Sequence, residues 1–264
     1  MTDPRLDIIA ERLGLSDIPH RKAPRYPTEA ELFRLLSLYR AVMFPRLCSY
    51  GYGGSSLAVL HRLLTRTLDG LSVDDATEQA YATVSFLPEI RTVLLSDAEA
   101  TYRNDPAAVS VEEVLLAYPG FYAISVHRLA HLMYLSHIPY LPRALSEYAH
   151  SRTGIDIHPG ASIGPRFCID HGTGIVIGET AEIGADVRIY HSVTLGAKWL
   201  ETDCEGNPVR GIKRHPTVGN GCVIYAGARI FGGDTVLGDG CIVGSGVLLT
   251  HSLAPGEIVL ENKK

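Results

Sequence analysis

The amino-acid sequence predicts an α+β protein: an α-helical N-terminal domain followed by a parallel β-helix built from hexapeptide repeats. Two observations carry this. From Asp156 to Leu248 an aliphatic residue returns every six positions, and before about Tyr148 that repeat is absent while apolar residues recur at helical spacing. The division of labour that follows is residues 1–150 for the helical domain and 151–264 for the β-helix, with a loop at 197–217.

In chain order, Ala30 to Met43 places Leu32, Leu35, Leu36, Tyr39 and Val42 on one helical face, and Leu57 to Leu68 and Val73 to Leu87 continue in the same manner. Pro24, Pro27, Pro45 and the run Tyr50 to Gly54 break these segments. The glycine run lacks the Lys-Ser/Thr of a phosphate loop and any preceding strand, so it reads as a flexible connection. Ser96 to Arg103 reads as a further helix closed by Asn104-Asp105-Pro106, because the residue before a proline is driven out of the α region. Tyr122 to Leu135 sets His127 and His131 on one face, a spacing that binds zinc in other contexts. Without a zincin glutamate or a third ligand nearby, a packed helix face is the expectation. Ala144 to His150 leads into the repeats.

Ile157, Ile163, Ile169 and Ile175 hold one register of the repeat; Ile177, Ile183, Ile189 and Leu195 resume it after a shift of two; Val218, Ile224, Ile230, Val236, Ile242 and Leu248 continue it. Six residues advance an α-helix by about 600°, off any single face, and a plain strand alternates every two. A solenoid of short walls, three to a triangular coil, satisfies the period with the aliphatic residue inward and glycines such as Gly172, Gly221 and Gly227 at the turns. About five coils stacked at roughly 4.8 Å give a prism about 20 to 25 Å tall. Between Leu195 and Val218 the period lapses, so a loop must leave the prism there, carrying Trp199, Arg210, Lys213, Arg214 and His215.

Composition limits the function. The chain of 264 residues is 46% hydrophobic, enough to bury a sizeable core. Its net charge is −5 and its 24 basic residues are scattered, which argues against nucleic acid and against a membrane surface as partners. Met1 to Ala10 has no apolar signal core and no long uncharged apolar run occurs, so a cytoplasmic protein is expected. Five cysteines without a CxxC point to reduced thiols, with Cys222 at an inward position.

Asp156, His158, Asp170, His171 and His191 stand out as polar residues on an aliphatic and glycine frame. If the shift of two is one widened turn, His171 and His191 fall at the same phase of successive coils and stack on one edge. No nucleophile elbow, P-loop or dinucleotide fingerprint is present. General-base catalysis remains, because an imidazole with an ordinary pKa near 6.5 can take a proton from a hydroxyl attacking a thioester while a carboxylate fixes its tautomer. An acidic acceptor would need a cation, and the planar fork of Arg214 suits a carboxylate.

Six stretches together resemble one family. Asn104-Asp-Pro106, Tyr122 to His131, Gly154 to Gly160, Ile169 to Thr180, Ser192 to Gly196 and Lys213-Arg-His-Pro216 are similar, in the same order, to motifs of the serine O-acetyltransferases among the hexapeptide-repeat acyltransferases. The resemblance covers roughly Ser96 to Leu249. It implies a left-handed β-helix under a helical domain that contributes to oligomerisation and to the serine site, homotrimers or dimers of trimers, and acetyl-CoA lying between neighbouring prisms as co-substrate with no metal. It implies acetyl transfer to the L-serine hydroxyl, giving O-acetylserine for cysteine synthesis. By motif, His171 resembles the general base and Asp156 its catalytic carboxylate. Asp105, with Pro106 beside it, and Asp170 resemble the residues that hold the serine ammonium, and Arg214 and His215 those that receive its carboxylate. Gly196, Ala197, Ala226 and Gly244 correspond to the wall along which the pantetheine arm lies. L-cysteine, sharing the amino-acid groups, is expected to compete with serine.

Two departures from the family pattern bear on these expectations. The loop is longer than usual, and the chain ends Glu261-Asn-Lys-Lys264 without the family's terminal isoleucine, so a complex with the sulfhydrylase through that tail is not expected. The alternatives are an acetyltransferase for another small hydroxy amino acid or a sugar, a zinc lyase of the carbonic-anhydrase type on the same fold, and a silent scaffold. Asp105 and Arg214 together favour a zwitterionic acceptor over a sugar.

Overall fold

The computed structural model describes Ile8, residues 11–13, 24–47 and 54–260. Most of the N-terminal stretch, Cys48, the connection from Tyr50 to Gly53 and the tail from Glu261 to Lys264 lie outside these residues, and with them the expectation about the sulfhydrylase.

Between Glu29 and the repeats run seven helices: α1 (Glu29–Met43), α2 (Gly54–Gly70), α3 (Ala76–Ser85), α4 (Leu87–Asn104), α5 (Val111–Ala117), α6 (Pro119–Leu135) and α7 (Leu141–Thr153), counted among the described residues. Thr28 starts α1 through a reciprocal capping box with Glu31, whose carboxyl is held down at about 2 by that backbone N–H and by Arg25. The helix expected from Val73 to Leu87 divides at Phe86, because Pro88 fits only a first turn and therefore begins α4. Ser96 to Arg103 is the second half of that helix. The short α5, capped by Ser110 Oγ accepting from Glu113 N, had no expectation attached to it.

The repeats form a left-handed parallel β-helix of three sheets. The first sheet stacks β1 (Asp156–Ile157), β4 (Val176–Ile177), β7 (Thr194–Gly196), β10 (Arg229–Phe231) and β13 (Leu248–Leu249). The second stacks β2 (Ser162–Ile163), β5 (Glu182–Ile183), β8 (Thr217–Val218) and β11 (Val236–Leu237). The third stacks β3 (Cys168–Asp170), β6 (Arg188–Tyr190), β9 (Val223–Ile224), β12 (Ile242–Val243) and β14 (Ile258–Val259). All ladders are parallel, so each coil repeats the one below it. Aliphatic side chains from Ile155 to Leu253 fill the prism, and their cluster runs on into the helical core.

The inward register departs from expectation at one place. Leu237, Val243 and Leu249 are buried, whereas Val236 and Leu248 are each 44% exposed. The turn after β10 carries one residue more than the period demands. Gly232 takes it up at φ +111°, and the buried hydroxyl of Thr235 donates to Phe231 O at 2.7 Å.

The helices are fastened to the first coil. Arg128 of α6 donates through Nε and Nη2 to both oxygens of the fully buried Asp97 at 2.7 and 3.0 Å, and its Nη1 and Nη2 reach the carbonyls of Ile163 and Gly164 at 3.0 and 2.9 Å. Phe167 N adds a bond of 2.9 Å to the same carboxylate. A charge pair this deep persists because each hydrogen-bonding direction is met, and losing one partner would strand the other. Gly120, in the first turn of α6, lies so close to β3 that a Cβ there would stand 2.6 Å from Ile169 O. No helix among the described residues is long and apolar enough to cross a membrane.

Candidate active site

Two corners of the prism carry the polar groups. The first lies between the third and first sheets. There Asp170 pairs in register with Tyr190 and Val176 with Thr194, so the turn after β3 holds two more residues than the turn above it. This is the widened turn expected from the shift in register, placed between Ile169 and Ile175. It pushes His171 outward at φ 57°, with its side chain 76% exposed. The His171 ring stands edge-on to His191 one coil up, centroids 5.8 Å apart, and its Nε2 is 3.7 Å from Asp170 Oδ1.

Asp105, delivered to this corner by the end of α4, accepts from Tyr118 OH at 2.6 Å and from Ala107 N at 2.8 Å; Pro106 forms the exposed turn between them. The Tyr118 hydroxyl, followed by the Ala107 N–H, holds the Asp105 carboxyl below its usual range, and the same bond pushes the Tyr118 phenol up to about 12. Asp156 lies on β1. Among the described residues no hydrogen bond joins it to His171; its carboxylate instead converges with Glu147 and His150 of α7, donor atoms within 4.8 Å of one another.

The second corner lies between the first and second sheets, where the long loop leaves after Gly196 and returns before β8. An antiparallel bridge between Thr202 and Pro208, closed by Asp203 accepting from Glu205 N and Asn207 N at 2.9 Å each, shapes its outer part. Its returning end is tied to Thr180. Lys213 Nζ donates to Thr180 O at 2.7 Å and to Glu182 at 2.9 Å, and the backbone N–H groups of Arg214 and His215 donate to Thr180 Oγ1 at 2.9 and 3.1 Å. Arg214 gives one guanidinium nitrogen to Glu179, whose other oxygen accepts from Tyr134 OH at 2.9 Å. Burial works to raise Glu179, but Arg214 and Tyr134 outweigh it and leave the carboxyl below its ordinary value.

His215 is buried over Gly178, where a Cβ would meet its ring at 2.0 Å. Burial first, then Arg214, depresses it to about 4, so it is neutral near pH 7. Its Nδ1 accepts from Thr180 N at 3.1 Å, which assigns the ring proton to Nε2 and makes that nitrogen a donor. His158, also depressed by burial and by Arg143, turns its ring edge to Tyr134 nearby.

The expected cofactor wall divides the same way. Gly196 and Ala197 begin the loop at the second corner; Ala226 and Gly244 sit at the first. Gly196 is small because Phe231 covers it, its Cβ position 2.5 Å from that ring. At Gly244 a Cβ would point at Leu260 O, 2.7 Å away, so the absent side chain there serves the stacking of the next coil.

Tyr118 and Tyr134 bracket α6, so their Cα atoms are about 24 Å apart at 1.5 Å per residue. Asp105 and Arg214 thus belong to different corners of the same prism, one tied to Tyr118 and the other, through Glu179, to Tyr134. Sequence reasoning gave no role to Tyr118, Tyr134, Glu179 or Thr180. Glu179-Thr180 interrupts the aliphatic and glycine pattern at a turn, which was a usable signal; Tyr118, at the junction of α5 and α6, and Tyr134, within α6, gave none.

No protein-family model matches the chain. A plasmid-borne serine acetyltransferase of Synechococcus elongatus is 41% identical over 261 residues, covering 88% of this chain and 81% of that protein. The chain belongs to the serine acetyltransferases. A serine acetyltransferase of Bacillus licheniformis is 42% identical over 180 residues, 65% of this chain and 79% of its own. Among solved structures, serine acetyltransferase 1 of Entamoeba histolytica in complex with L-cysteine superposes with a TM-score of 0.78 at 34% identity, over 95% of this chain and 96% of that one. The soybean serine acetyltransferase complexed with serine gives 0.62 at 33% identity, over 89% and 98%. The acetyltransferase is thus an acyl-transferring enzyme that modifies serine, and the comparisons give no support to a zinc lyase.

Proposed function

We propose that this enzyme moves the acetyl group of acetyl-CoA to L-serine in sites that form between two chains of a trimer, or of a dimer of trimers. One chain brings Asp105, Pro106, Asp170, His171, Ala226 and Gly244; the next brings Arg214, His215, Gly196 and Ala197. The observation that carries this reading is that Asp105 and Arg214 sit at different corners of one prism, so prisms packed around a threefold axis would bring the second corner of one chain to the first corner of the next.

The chemistry follows from the residues. Asp105 and Asp170 take the serine ammonium, while Arg214 and the Nε2–H of His215 take its carboxylate. His171 then accepts the hydroxyl proton as Oγ attacks the thioester carbonyl, with Asp156 assigned as its carboxylate by motif alone. The tetrahedral intermediate collapses with cleavage of the C–S bond, and the imidazolium returns its proton to the leaving thiolate. L-cysteine has the same ammonium and carboxylate and competes for the site, in keeping with the cysteine complex of the Entamoeba relative. The helical domain (1–150) supplies Asp105 and assembly contacts, and residues 151–264 supply the rest. The free thiols Cys168, Cys204, Cys222 and Cys241 accord with a reducing, cytoplasmic setting.

Mixing inactive variants tests the shared site. His171→Ala and Arg214→Ala chains, each inactive alone, should regain activity when refolded together, because about a quarter of random interfaces combine an intact His171 with an intact Arg214. CoA release with serine is the readout; no recovery would place both groups in one chain's site.

A further inference from the structure

We propose that Tyr118 and Tyr134, at the two ends of α6, are positioning residues for the acceptor: Tyr118 fixes the carboxylate that meets the ammonium, and Tyr134 fixes the Glu179–Arg214 pair that meets the carboxylate. The inference rests on the acceptor site described above and assigns these two hydroxyls a purpose within it.

Both tyrosines are half-buried and each donates to a carboxylate: Tyr118 OH to Asp105 Oδ2 at 2.6 Å, Tyr134 OH to Glu179 Oε1 at 2.9 Å. The remaining bonds leave capacity for a ligand. Asp105 uses one lone pair on each oxygen, for Tyr118 and Ala107 N, and each oxygen has another for an ammonium. Arg214 spends one nitrogen on Glu179, and the rest of its fork remains for two parallel bonds to a carboxylate. A tyrosine hydroxyl suits this work because it is neutral, so it aims the carboxylate without cancelling the charge that the ligand must meet.

The helix between them is held as a bar. Arg128, midway along it, is bonded to Asp97 and to the Ile163 and Gly164 carbonyls, and Gly120 lies against β3. Tyr134 is further fixed by the His158 ring, edge-on at 5.8 Å. Any tilt of α6 would move both hydroxyls, so the fastening at Asp97 sets both clamps. Because the two clamps of one chain belong to different sites, each α6 serves two neighbouring sites at once.

The two roles separate by functional group. Tyr118→Phe should raise KM for serine about tenfold, the loss expected for one hydrogen bond to a charged group, and weaken serinamide equally while leaving glycerate, which has no ammonium, unchanged. Tyr134→Phe should weaken serine and glycerate by about the same factor and spare serinamide, which has no carboxylate. In both variants kcat, KM for acetyl-CoA and the melting temperature should stay near wild type. A general packing role would weaken all three ligands together; that pattern, or an unchanged serine KM, overturns the proposal. As a second measurement, Tyr118→Phe should add nothing in an Asp105→Asn background, and an undiminished effect there would also overturn it. Wild-type enzyme that releases no CoA with serine would refute the functional reading instead, which keeps the two failures distinct.

Discussion

His171 and His215 are the same residue in two opposite settings. His171 stands on a widened turn, mostly exposed, with Asp170 3.7 Å away and His191 beside it. His215 is 7% exposed and bonded to Thr180, and burial with Arg214 beside it depresses it to about 4. The first, exposed at its corner, is the proposed base; the second keeps one nitrogen as acceptor to the backbone and offers the other as a neutral donor. Residue type alone does not separate the proposed base from the proposed binding group, whereas the two turns set their exposure apart.

The comparison is sharpest if the two corners are broken separately. His171→Ala should lower kcat by about 10² to 10⁴, as for loss of a general base, and leave KM for acetyl-CoA near wild type. Near-normal turnover would remove His171 from the chemistry. At the other corner Arg214→Lys should raise the serine KM about tenfold with kcat and the acetyl-CoA KM little changed, because lysine keeps the charge and loses the fork. Equal weakening of both substrates would move Arg214 to the cofactor.

A structural break of the second corner alone is Gly178→Ala. Its methyl would collide with the His215 ring at 2.0 Å, so the returning end of the loop must shift, at a cost of about 1–3 kcal/mol of stability. Chemical denaturation should show the loss and serine KM should rise; an unperturbed serine KM would mean that His215 does not meet the acceptor.

The smallest effect is in pH. His215 titrates at about 4 in the folded chain and near 6.5 when unfolded, so between those values the unfolded chain binds the extra proton. Stability should therefore fall as pH drops from about 6.5 towards 4 and the slope from this group should vanish below that. His127 and His158, also depressed by burial, act in the same direction. His215→Asn should flatten the decline in melting temperature across this window, and an unchanged slope would count against a neutral, buried His215.

The sequence made the β-helix legible wherever the six-residue spacing held, even where a second aliphatic residue stood beside the inward one, as at Val176-Ile177 and Val223-Ile224. From Ile157 to Ile230 every assigned residue is buried, including Ile175, which faces inward two positions ahead of Ile177. After Ile230 the pairs Val236-Leu237, Ile242-Val243 and Leu248-Leu249 offer two aliphatic residues side by side, and composition cannot tell which one an added turn residue selects. The roles proposed for His171, Asp170 and Arg214 came from motif resemblance. Their division between corners was not legible, because Asp105, Tyr118 and Tyr134 belong to the ends and caps of helices, which have no phase relative to the repeat. Only the packing of α6 across the first coil relates the two.

The bond set around Asp97 has a consequence for how the molecule comes apart. In a solenoid each coil touches only its neighbours, so unfolding can begin at a free end and proceed coil by coil. Here the first coil is not a free end: Asp97, Arg128 and Phe167 N tie it to α4 and α6, and a single inward cluster runs through both parts. The last coil, around Leu253 and β14, has no such cover among the described residues, and Ile258 and Leu260 are 58% and 65% exposed. Amide exchange should therefore be graded along the prism, slowest at β3 beneath the helices and fastest at β14, with the helices and the first coil opening as one cooperative unit.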